Sequence, residues 1–281
     1  MTSAGARRSL LVVAYVLAAC VALVFLLLPI VAIFAHTSPS RLVDQLSNPV
    51  VEDAFVVSLK TSLLAQLLIV AFGTPAAFLL ASRRFRGHSL AITLVELPLV
   101  LPPAVAGIGL LAAFGRIGLL GSSLGALGVS LPFTQTAVTI AVAYVASPLY
   151  VRQAIAAFEA TDSDLTAASR TLGASPARTF FRVVLPLARA GLIAGLALSF
   201  ARGLGEFGAT IMFAGSLQRV TQTLPLAIYA EFDRNFDATL AMSGVLVLFS
   251  VLLLAGLRIG LTWQRSDSTR SPSLFGLSRS G

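Results

Sequence analysis

Long apolar runs without a charge constrain this chain more than any other feature of its sequence. The first run extends from Ser9 to Ala35 and follows the pair Arg7 and Arg8. A membrane-spanning helix needs about 20 predominantly apolar residues, so this run is long enough to cross a bilayer. It is also longer than the roughly 7–15 apolar residues of a cleaved signal peptide. We therefore expect a retained transmembrane helix here.

Five more apolar segments follow, and the composition also indicates a protein embedded in a lipid bilayer. The six predicted transmembrane segments are about 9–35, 61–81, 89–115, 134–158, 191–213 and 239–257. Hydrophobic residues make up 57% of the chain and charged residues 11%, and the mean hydropathy is +0.90. Soluble domains carry about 25% charged residues, so a water-soluble fold would have no place for this apolar surface. We expect an all-α integral membrane protein, with one domain of six transmembrane helices over residues 1–262 and a disordered cytoplasmic tail over 263–281.

The basic residues predict the orientation of these helices. Six crossings place both termini on one side of the membrane. If that side is the cytoplasm, the inside segments hold thirteen arginines: Arg7, Arg8, Arg83, Arg84, Arg86, Arg170, Arg178, Arg182, Arg189, Arg258, Arg265, Arg270 and Arg279. The outside segments then hold five basic residues: Arg41, Lys60, Arg116, Arg219 and Arg234. Because basic residues concentrate on the cytoplasmic side, we expect cytoplasmic termini and assign the net charge of +8 to topology rather than to nucleic-acid binding.

The longest polar, charge-bearing stretch lies between segments four and five, on the predicted cytoplasmic side. Asp162 or Ser163 can cap a first short helix, and Gly173 stands where a left-handed helix end favours glycine. Ser175 followed by Pro176 is typical of the start of a second helix. We expect two short helices joined by a glycine turn and exposed for contact with another molecule.

The same stretch resembles the coupling loop of ABC-importer permeases, written EAA, three residues, G, nine residues, I-x-L-P. The spacing from Gly173 to Leu185 and Pro186 matches without a gap, and Pro186 also predicts a stop or bend before the next apolar segment. The resemblance implies that residues 159–187 dock into a groove on a separate ATPase subunit. It assigns coupling to Asp162, Asp164, Ala167, Ala168, Gly173, Leu185 and Pro186.

The match to the coupling loop is incomplete at its start. Ala167 stands at the family's glutamate position and Ser169 at its second alanine. The acidic contact to the ATPase is therefore missing, or it is supplied by Asp162 or Asp164. The alternative interpretation is an ordinary amphipathic cytoplasmic loop of another kind of membrane protein.

Segment three contains three prolines, Pro98, Pro102 and Pro103, which cannot donate backbone hydrogen bonds. The helix must kink or break there, and irregular backbone within a membrane is tolerated only inside protein or along a water-filled cavity. Pro102 and Pro103 are therefore candidates for a pathway wall, with a packing kink as the alternative. Glu96, nearer the cytoplasmic end, can extend towards water or pair with a basic group.

Segment five carries two charges four residues apart, Arg202 and Glu206, which lie on one helical face. They form either a structural salt bridge or part of a transport pathway, because charges within a bilayer face the protein interior or a cavity. Ser199 and Thr210 are candidate hydroxyl donors to an anion. Three glycines here have the G-x-G-x-x-G spacing, but a dinucleotide site is excluded because no βαβ pattern surrounds it.

Four further stretches resemble the permease subunit of molybdate importers: LPLVLPPAVAGIGLLAAFGRIGLLG, VASPLYVRQAIAAF, SFARGLGEFGATIMFAG and TQTLPLAIYAEF. The resemblance spans about residues 58–254. The GEFGAT run is shared with sulfate permeases, and Ser216 stands where the molybdate group usually has asparagine. These two features leave sulfate and thiosulfate as alternative solutes, and tungstate is a further alternative because it is close to molybdate in size and charge.

This resemblance implies a type I ABC-importer permease that works as a homodimer in the cytoplasmic membrane. It also implies cytoplasmic ABC ATPase subunits and an extracytoplasmic oxyanion-binding protein as partners. The solute would cross by alternating access, through a pathway built largely from segments three and five. A permease of the same architecture for another solute and an ATPase-independent channel or carrier are the competing hypotheses.

Several catalytic motifs are absent from the sequence. Lys60 is the only lysine and follows Ser58 and Leu59, so the chain has no Gly-Lys-Ser/Thr of a P-loop. The two histidines are far apart and lack the H-E-x-x-H spacing, and the single cysteine gives neither a disulfide framework nor a metal site. We therefore expect a non-catalytic subunit without cofactor or metal, driven by ATP hydrolysis in a separate protein.

Overall fold

The computed structural model describes residues 3–36 and 39–268, and within them every regular element is helical. The helices are α1 (Ser3–Ala35), α2 (Pro39–Leu46), α3 (Pro49–Ser82), α4 (His88–Val100), α5 (Pro103–Phe114), α6 (Gly121–Ala126), α7 (Gln135–Glu159), α8 (Ser163–Thr171), α9 (Pro176–Thr179), α10 (Leu185–Leu204), α11 (Gly208–Ala214), α12 (Leu224–Glu231) and α13 (Phe236–Ser268). A π-helical turn, Phe180–Val184, joins α9 to α10. The predicted all-α class is confirmed for these residues.

Five helical stretches are long and apolar enough to cross a membrane: Leu11–Ala35, Pro49–Ser82, Gln135–Glu159, Pro176–Leu204 and Phe236–Gly256. Helices α4 and α5 together also meet this criterion, but they are bent by 113° relative to each other. The described residues therefore contain five candidate spans, or six if the bent pair forms one.

The bend between α4 and α5 follows from consecutive prolines. A proline disfavours helical backbone in the residue before it, and both Leu101 (ψ 134°) and Pro102 (ψ 132°) are extended. Pro103 starts α5, where a missing N–H costs nothing. The break predicted for segment three thus lies at Leu101 and Pro102, whereas Pro98 lies inside α4 without ending it.

Helices α3, α7 and α10 pack together at the centre of the fold. One buried cluster joins Ile69 of α3, Tyr150 of α7 and Leu192 of α10. A second joins α3 and α7 to α5 and α11, and it contains Val142 and Phe213. These contacts hold two interrupted segments, α4 with α5 and α10 with α11, against the same central helix, α7.

Several boundaries differ from the predicted ones. Helix α3 begins at Pro49, well before the expected residue 61, because Asn48 caps it by accepting a hydrogen bond from the Val50 N–H at 3.0 Å. The expected single segment 191–213 is divided, since α10 ends at Leu204 and α11 is separate. Residues 263–268, expected in the disordered tail, belong to α13, and residues 269–281 lie outside the described residues.

Candidate functional site: a projecting helix and two helix breaks

The start of α8 is fixed by its own sequence. Of the two candidate caps, Asp162 is the one used: its backbone is extended, and its carboxylate accepts a hydrogen bond from the Asp164 N–H at 2.8 Å. Such a cap satisfies one of the backbone donors that a helix leaves free at its first turn. Asp162 and Asp164 are therefore neighbours within the cap, and both are exposed.

The end of α8 is a glycine-dependent turn. Gly173 has φ +84°, a conformation that an L side chain disfavours. Its N–H donates to the Arg170 carbonyl at 2.9 Å, and the Ala174 N–H donates to the Ser169 carbonyl at 3.1 Å. This pair of bonds is the Schellman motif, which satisfies free carbonyls at the end of a helix. The glycine turn therefore stands where the sequence predicted it.

Helix α8 projects from the bundle. None of its residues is buried, and Leu172, directly after it, is 87% exposed. One side-chain hydrogen bond ties it down, between Ser169 and Thr179 at 3.1 Å. Ala167 and Ala168 are both exposed on this helix. Its surface is therefore free to contact another molecule.

A cavity of about 600 Å³ lies between α8 and the ends of α3 and α7. Ala167 borders it, together with Arg83 and Arg170. Ala167, at the family's glutamate position, therefore borders a space that is lined by two arginines and also by Glu159, and Asp162 is used in capping α8.

We expected a stop or a bend at Pro186, and the stop is wrong, because one helical span runs from Pro176 to Leu204. The π-helical turn before Pro186 explains this, since the Leu185 N–H donates to the Phe180 carbonyl five residues back. A proline ring clashes with the carbonyl four residues earlier in a regular helix, and the extra residue of a π turn relieves that clash. The second expected short helix is likewise only the first turn of this span, so α8 alone projects from the bundle.

The two helix breaks contact each other, although Pro103 itself is exposed. A Cβ atom on Gly208, at the start of α11, would lie 2.7 Å from the Pro103 Cβ. One on Gly107 would lie 2.6 Å from the Ala209 carbonyl oxygen. We call this contact, made by Pro103, Gly107, Gly208 and Ala209, the break junction. Pro103 lies in it directly, and Pro102 forms the bend that leads into it.

Glu206 joins the two halves of the broken segment five. Its carboxylate lies 2.8 Å from the Arg202 guanidinium at the end of α10, and its other oxygen accepts the Ala209 N–H at 2.8 Å. The Glu206 side chain is 1% exposed and that of Arg202 is 34% exposed. The sequence suggested the ion pair but not the second bond, because the break that frees the Ala209 N–H was not expected. Glu206 therefore both neutralises Arg202 and accepts a backbone hydrogen bond from the first turn of α11.

The two predicted hydroxyl donors have different surroundings. The buried Ser199 hydroxyl lies 2.9 Å from the Gln66 side-chain oxygen and 2.9 Å from the Leu196 carbonyl, so its proton is already engaged. The Thr210 hydroxyl is buried without a hydrogen-bond partner among the described residues, and so is the Gln66 side-chain nitrogen. Sequence reasoning missed Gln66, although a buried polar face of α3 with Ser58, Thr61 and Ser62 signals it.

The described residues contain no group of three or more His, Cys, Asp or Glu side chains that could hold a metal ion. Within the described part of the chain, the site consists of hydrogen-bonding side chains, the buried Arg202–Glu206 ion pair and two backbone breaks next to packed helices.

Comparison with known proteins shows the class of transporter. The family of binding-protein-dependent transport system inner membrane components matches residues 73–262. This chain belongs to that family.

Individual relatives are similar over most of their length. The molybdenum transport system permease protein ModB of Mycobacterium tuberculosis is 42% identical over 234 residues, which cover 83% of this chain and 89% of that protein. The sulfate transport system permease protein CysT of Salmonella typhimurium is 36% identical over 235 residues, covering 82% and 84%.

A solved structure shows the same fold at low sequence identity. A chain of a bacterial alginate ABC transporter, crystallised in complex with an alginate pentasaccharide-bound periplasmic protein, matches with a TM-score of 0.69 at 16% identity. The match covers 90% of this chain and 93% of that one. The fold is therefore that of an ABC-importer permease.

Membership of this permease family settles the sequence-based expectations about resemblance, catalysis and membrane location. The resemblance to ABC-importer permeases, and to the molybdate permeases among them, is confirmed. The chain is a non-catalytic membrane component of a transport system, and it crosses the cytoplasmic membrane several times. The sequence motifs alone therefore identify the correct family.

Proposed function

We propose that this chain is the transmembrane subunit of an ATP-driven importer that carries molybdate into the cell. The observation that carries the proposal is α8, an exposed helix capped at both ends, in the stretch that resembles the coupling loop of ABC-importer permeases. The choice of molybdate is supported by the relation to the ModB permease, which extends over 83% of this chain.

The proposed topology has six crossings, with α4 and α5 together forming the third, and with both termini in the cytoplasm. The arginine distribution supports this orientation, because it places Arg170, Arg178 and Arg182 on the same side as the N-terminus. In this topology α8 faces the cytoplasm, where an ATPase can reach it.

The proposed assembly contains two copies of this chain, two cytoplasmic ABC ATPase subunits and an extracytoplasmic oxyanion-binding protein. ATP-driven closure of the ATPases would draw the two α8 helices together and switch the dimer from outward- to inward-facing. Because the Schellman turn at Gly173 and the cap at Asp162 hold α8 as a rigid unit, it can transmit such a displacement. The coupling residues are those assigned to the loop, including Leu185 and Pro186 at the start of α10.

The proposed pathway passes the break junction. Pro102, Pro103 and the Arg202–Glu206 pair shape its wall, and Thr210 offers a hydroxyl there. Ser199 acts indirectly, by holding Gln66. A tetrahedral dianion needs hydrogen-bond donors but no tight site here, since the binding protein has already selected it.

Sulfate is the second candidate solute, because the sulfate permease CysT is 36% identical and Ser216 departs from the usual asparagine of the molybdate group. The test uses proteoliposomes that contain this chain, its cognate ATPase and its cognate binding protein. We expect ATP-dependent uptake of radioactive molybdate that excess sulfate does not compete away. Preferred uptake of sulfate would make sulfate the solute. Uptake that does not require ATP, or no uptake of either oxyanion, would overturn the proposal.

A further inference from the structure

Helix α4 carries one line of polar side chains on an otherwise apolar surface. Ser89, Thr93 and Glu96 are spaced four and three residues apart, which places them on one face. The first two are exposed, whereas the exposed neighbours Leu90 and Leu94 are apolar. With a rise of 1.5 Å per residue, this line extends about 12 Å from the start of α4 at His88.

Helix α7 carries a matching line at its C-terminal end. Arg152, Ala156 and Glu159 have the same spacing and are all exposed, although α7 is otherwise the most central helix of the fold. Glu159 ends the helix and lies 3.6 Å from the Arg84 guanidinium in the loop before α4. This line therefore also starts at the cytoplasmic surface of the proposed topology and extends inward.

An ion pair joins the two lines at their inner ends. Arg152 Nε lies 3.0 Å from Glu96 Oε1, and the two side chains are 61% and 37% exposed. We call the resulting surface the α4–α7 polar strip; its members are Ser89, Thr93, Glu96, Arg152, Ala156 and Glu159. The sequence left open whether Glu96 pairs with a basic group, and this contact answers that question.

Partly exposed charges at this depth need water. A charged side chain is costly in a bilayer and faces the protein interior or a water-filled cavity. Glu96 and Arg152 neutralise each other but remain partly exposed, and lipid would offer their exposed parts no hydrogen-bond partner. We propose that the α4–α7 polar strip lines a water-filled cytoplasmic exit of the transport route, and that Arg152 is the positive charge that an outgoing oxyanion meets there.

The proposal assigns different roles to the two charges, and it rests on the proposed function. The Arg152 guanidinium donates hydrogen bonds to the oxyanion in place of Glu96. Glu96 is a positioning residue, because it holds the Arg152 guanidinium when no oxyanion is bound. It also competes with the oxyanion for that guanidinium. This competition keeps the anion weakly bound, so that it leaves for the cytoplasm.

The first test measures access by water to the strip and does not depend on the solute. Single cysteines replace Thr93 or Ala156 in a Cys20→Ser background of the complete transporter, in inside-out vesicles. We expect a membrane-impermeant thiol reagent to modify both at least about tenfold faster than a Leu94→Cys control, which is exposed on the same helix but lies off the strip. Strip cysteines that react no faster than the control would overturn the proposal.

The second test separates a transport role from a structural one. We expect Arg152→Gln to slow ATP-driven molybdate uptake by about tenfold because it leaves Glu96 unpaired in the exit, and we expect Arg152→Lys to restore most of it. The double variant Glu96→Gln/Arg152→Gln should recover part of the rate. Because a partly exposed ion pair contributes little stability, the melting temperatures of all variants should be close to that of the unaltered protein. Unchanged uptake in Arg152→Gln, or a fall in melting temperature matching the loss of uptake, would refute the role.

The two tests also distinguish this inference from the proposed function. If the unaltered transporter takes up no oxyanion while the strip cysteines react rapidly, the proposed function fails and the water-filled strip stands. If uptake is normal and the strip is unreactive, the proposed function stands and the strip inference fails.

Discussion

Helix α8 and the break junction both interrupt the helical bundle, but they are stabilised in different ways. The caps of α8 come from residues next to it in sequence, and none of its own residues is buried. The break junction instead depends on Pro103 packing against Gly208 and on Glu206 bonding across its own break. Substitutions in α8 should therefore disturb a contact with another protein, whereas substitutions at the junction should disturb the fold itself.

The largest expected effect is at Glu206, inside the junction region. Glu206→Ala removes both 2.8 Å contacts of a side chain that is 1% exposed. Breaking a buried ion pair costs about 3 kcal/mol at the lower end of its range, which applies because Arg202 is partly exposed. We expect a clear drop in melting temperature in detergent, a smaller one for Glu206→Gln, and none for Asp233→Asn at an exposed site. Equal melting temperatures for all three variants would show that Glu206 does not stabilise the fold.

The next effect concerns the close packing of α5 on α11. In Gly107→Ala the new Cβ would lie 2.6 Å from the Ala209 carbonyl oxygen and 2.7 Å from Met212 Cβ, and overpacking of this kind costs about 1–3 kcal/mol. Gly109→Ala is the matched control on the same helix, since no atom lies within 4 Å of its added Cβ. We expect the control to gain about 0.5–1 kcal/mol from helix propensity. If Gly107→Ala melts no lower than the control, the junction is not closely packed.

A third prediction separates docking from stability by comparing two glycines that the proposed topology places on the cytoplasmic side. Gly173 and Gly87 have φ +84° and +88°, and no atom lies within 4 Å of an added Cβ at either. Asp at either position therefore carries a similar backbone cost and leaves the bundle intact. We expect Gly173→Asp to abolish co-purification of the ATPase and Gly87→Asp to preserve it. Retention of the ATPase by both variants would count against docking at α8.

The smallest effect is expected at the α8 cap. Asp162→Ala removes the acceptor for the Asp164 N–H and should cost α8 about 1 kcal/mol. Because so short an exposed helix is marginal by itself, we expect amide hydrogen exchange in α8 to accelerate by roughly fivefold. Asp162→Ser keeps an acceptor and should restore slow exchange, while exchange in α7 stays constant in both variants. Unchanged exchange in Asp162→Ala would show that the cap contributes little.

The sequence was most informative where structure is local. The α8 cap, the glycine turn and the proline break at Leu101 and Pro102 follow from residue types and spacing, so they were predictable. The helical continuation through Pro186 was not, because it depends on a π turn that no residue pattern announces. The second bond of Glu206 and the partnership of Ser199 with Gln66 were also hidden, since they join segments whose spatial relation only the fold sets.

The central claim, that α8 is gripped by a cytoplasmic ATPase, can be tested most directly by photo-crosslinking in cells that express the complete transporter. A crosslinking amino acid replaces Leu172, which is 87% exposed beside α8, or Leu127, which is 76% exposed between α6 and α7 on the proposed outer side. The account predicts an adduct with the ATPase subunit from position 172 and none from position 127. No ATPase adduct from position 172, or one from position 127, would contradict it.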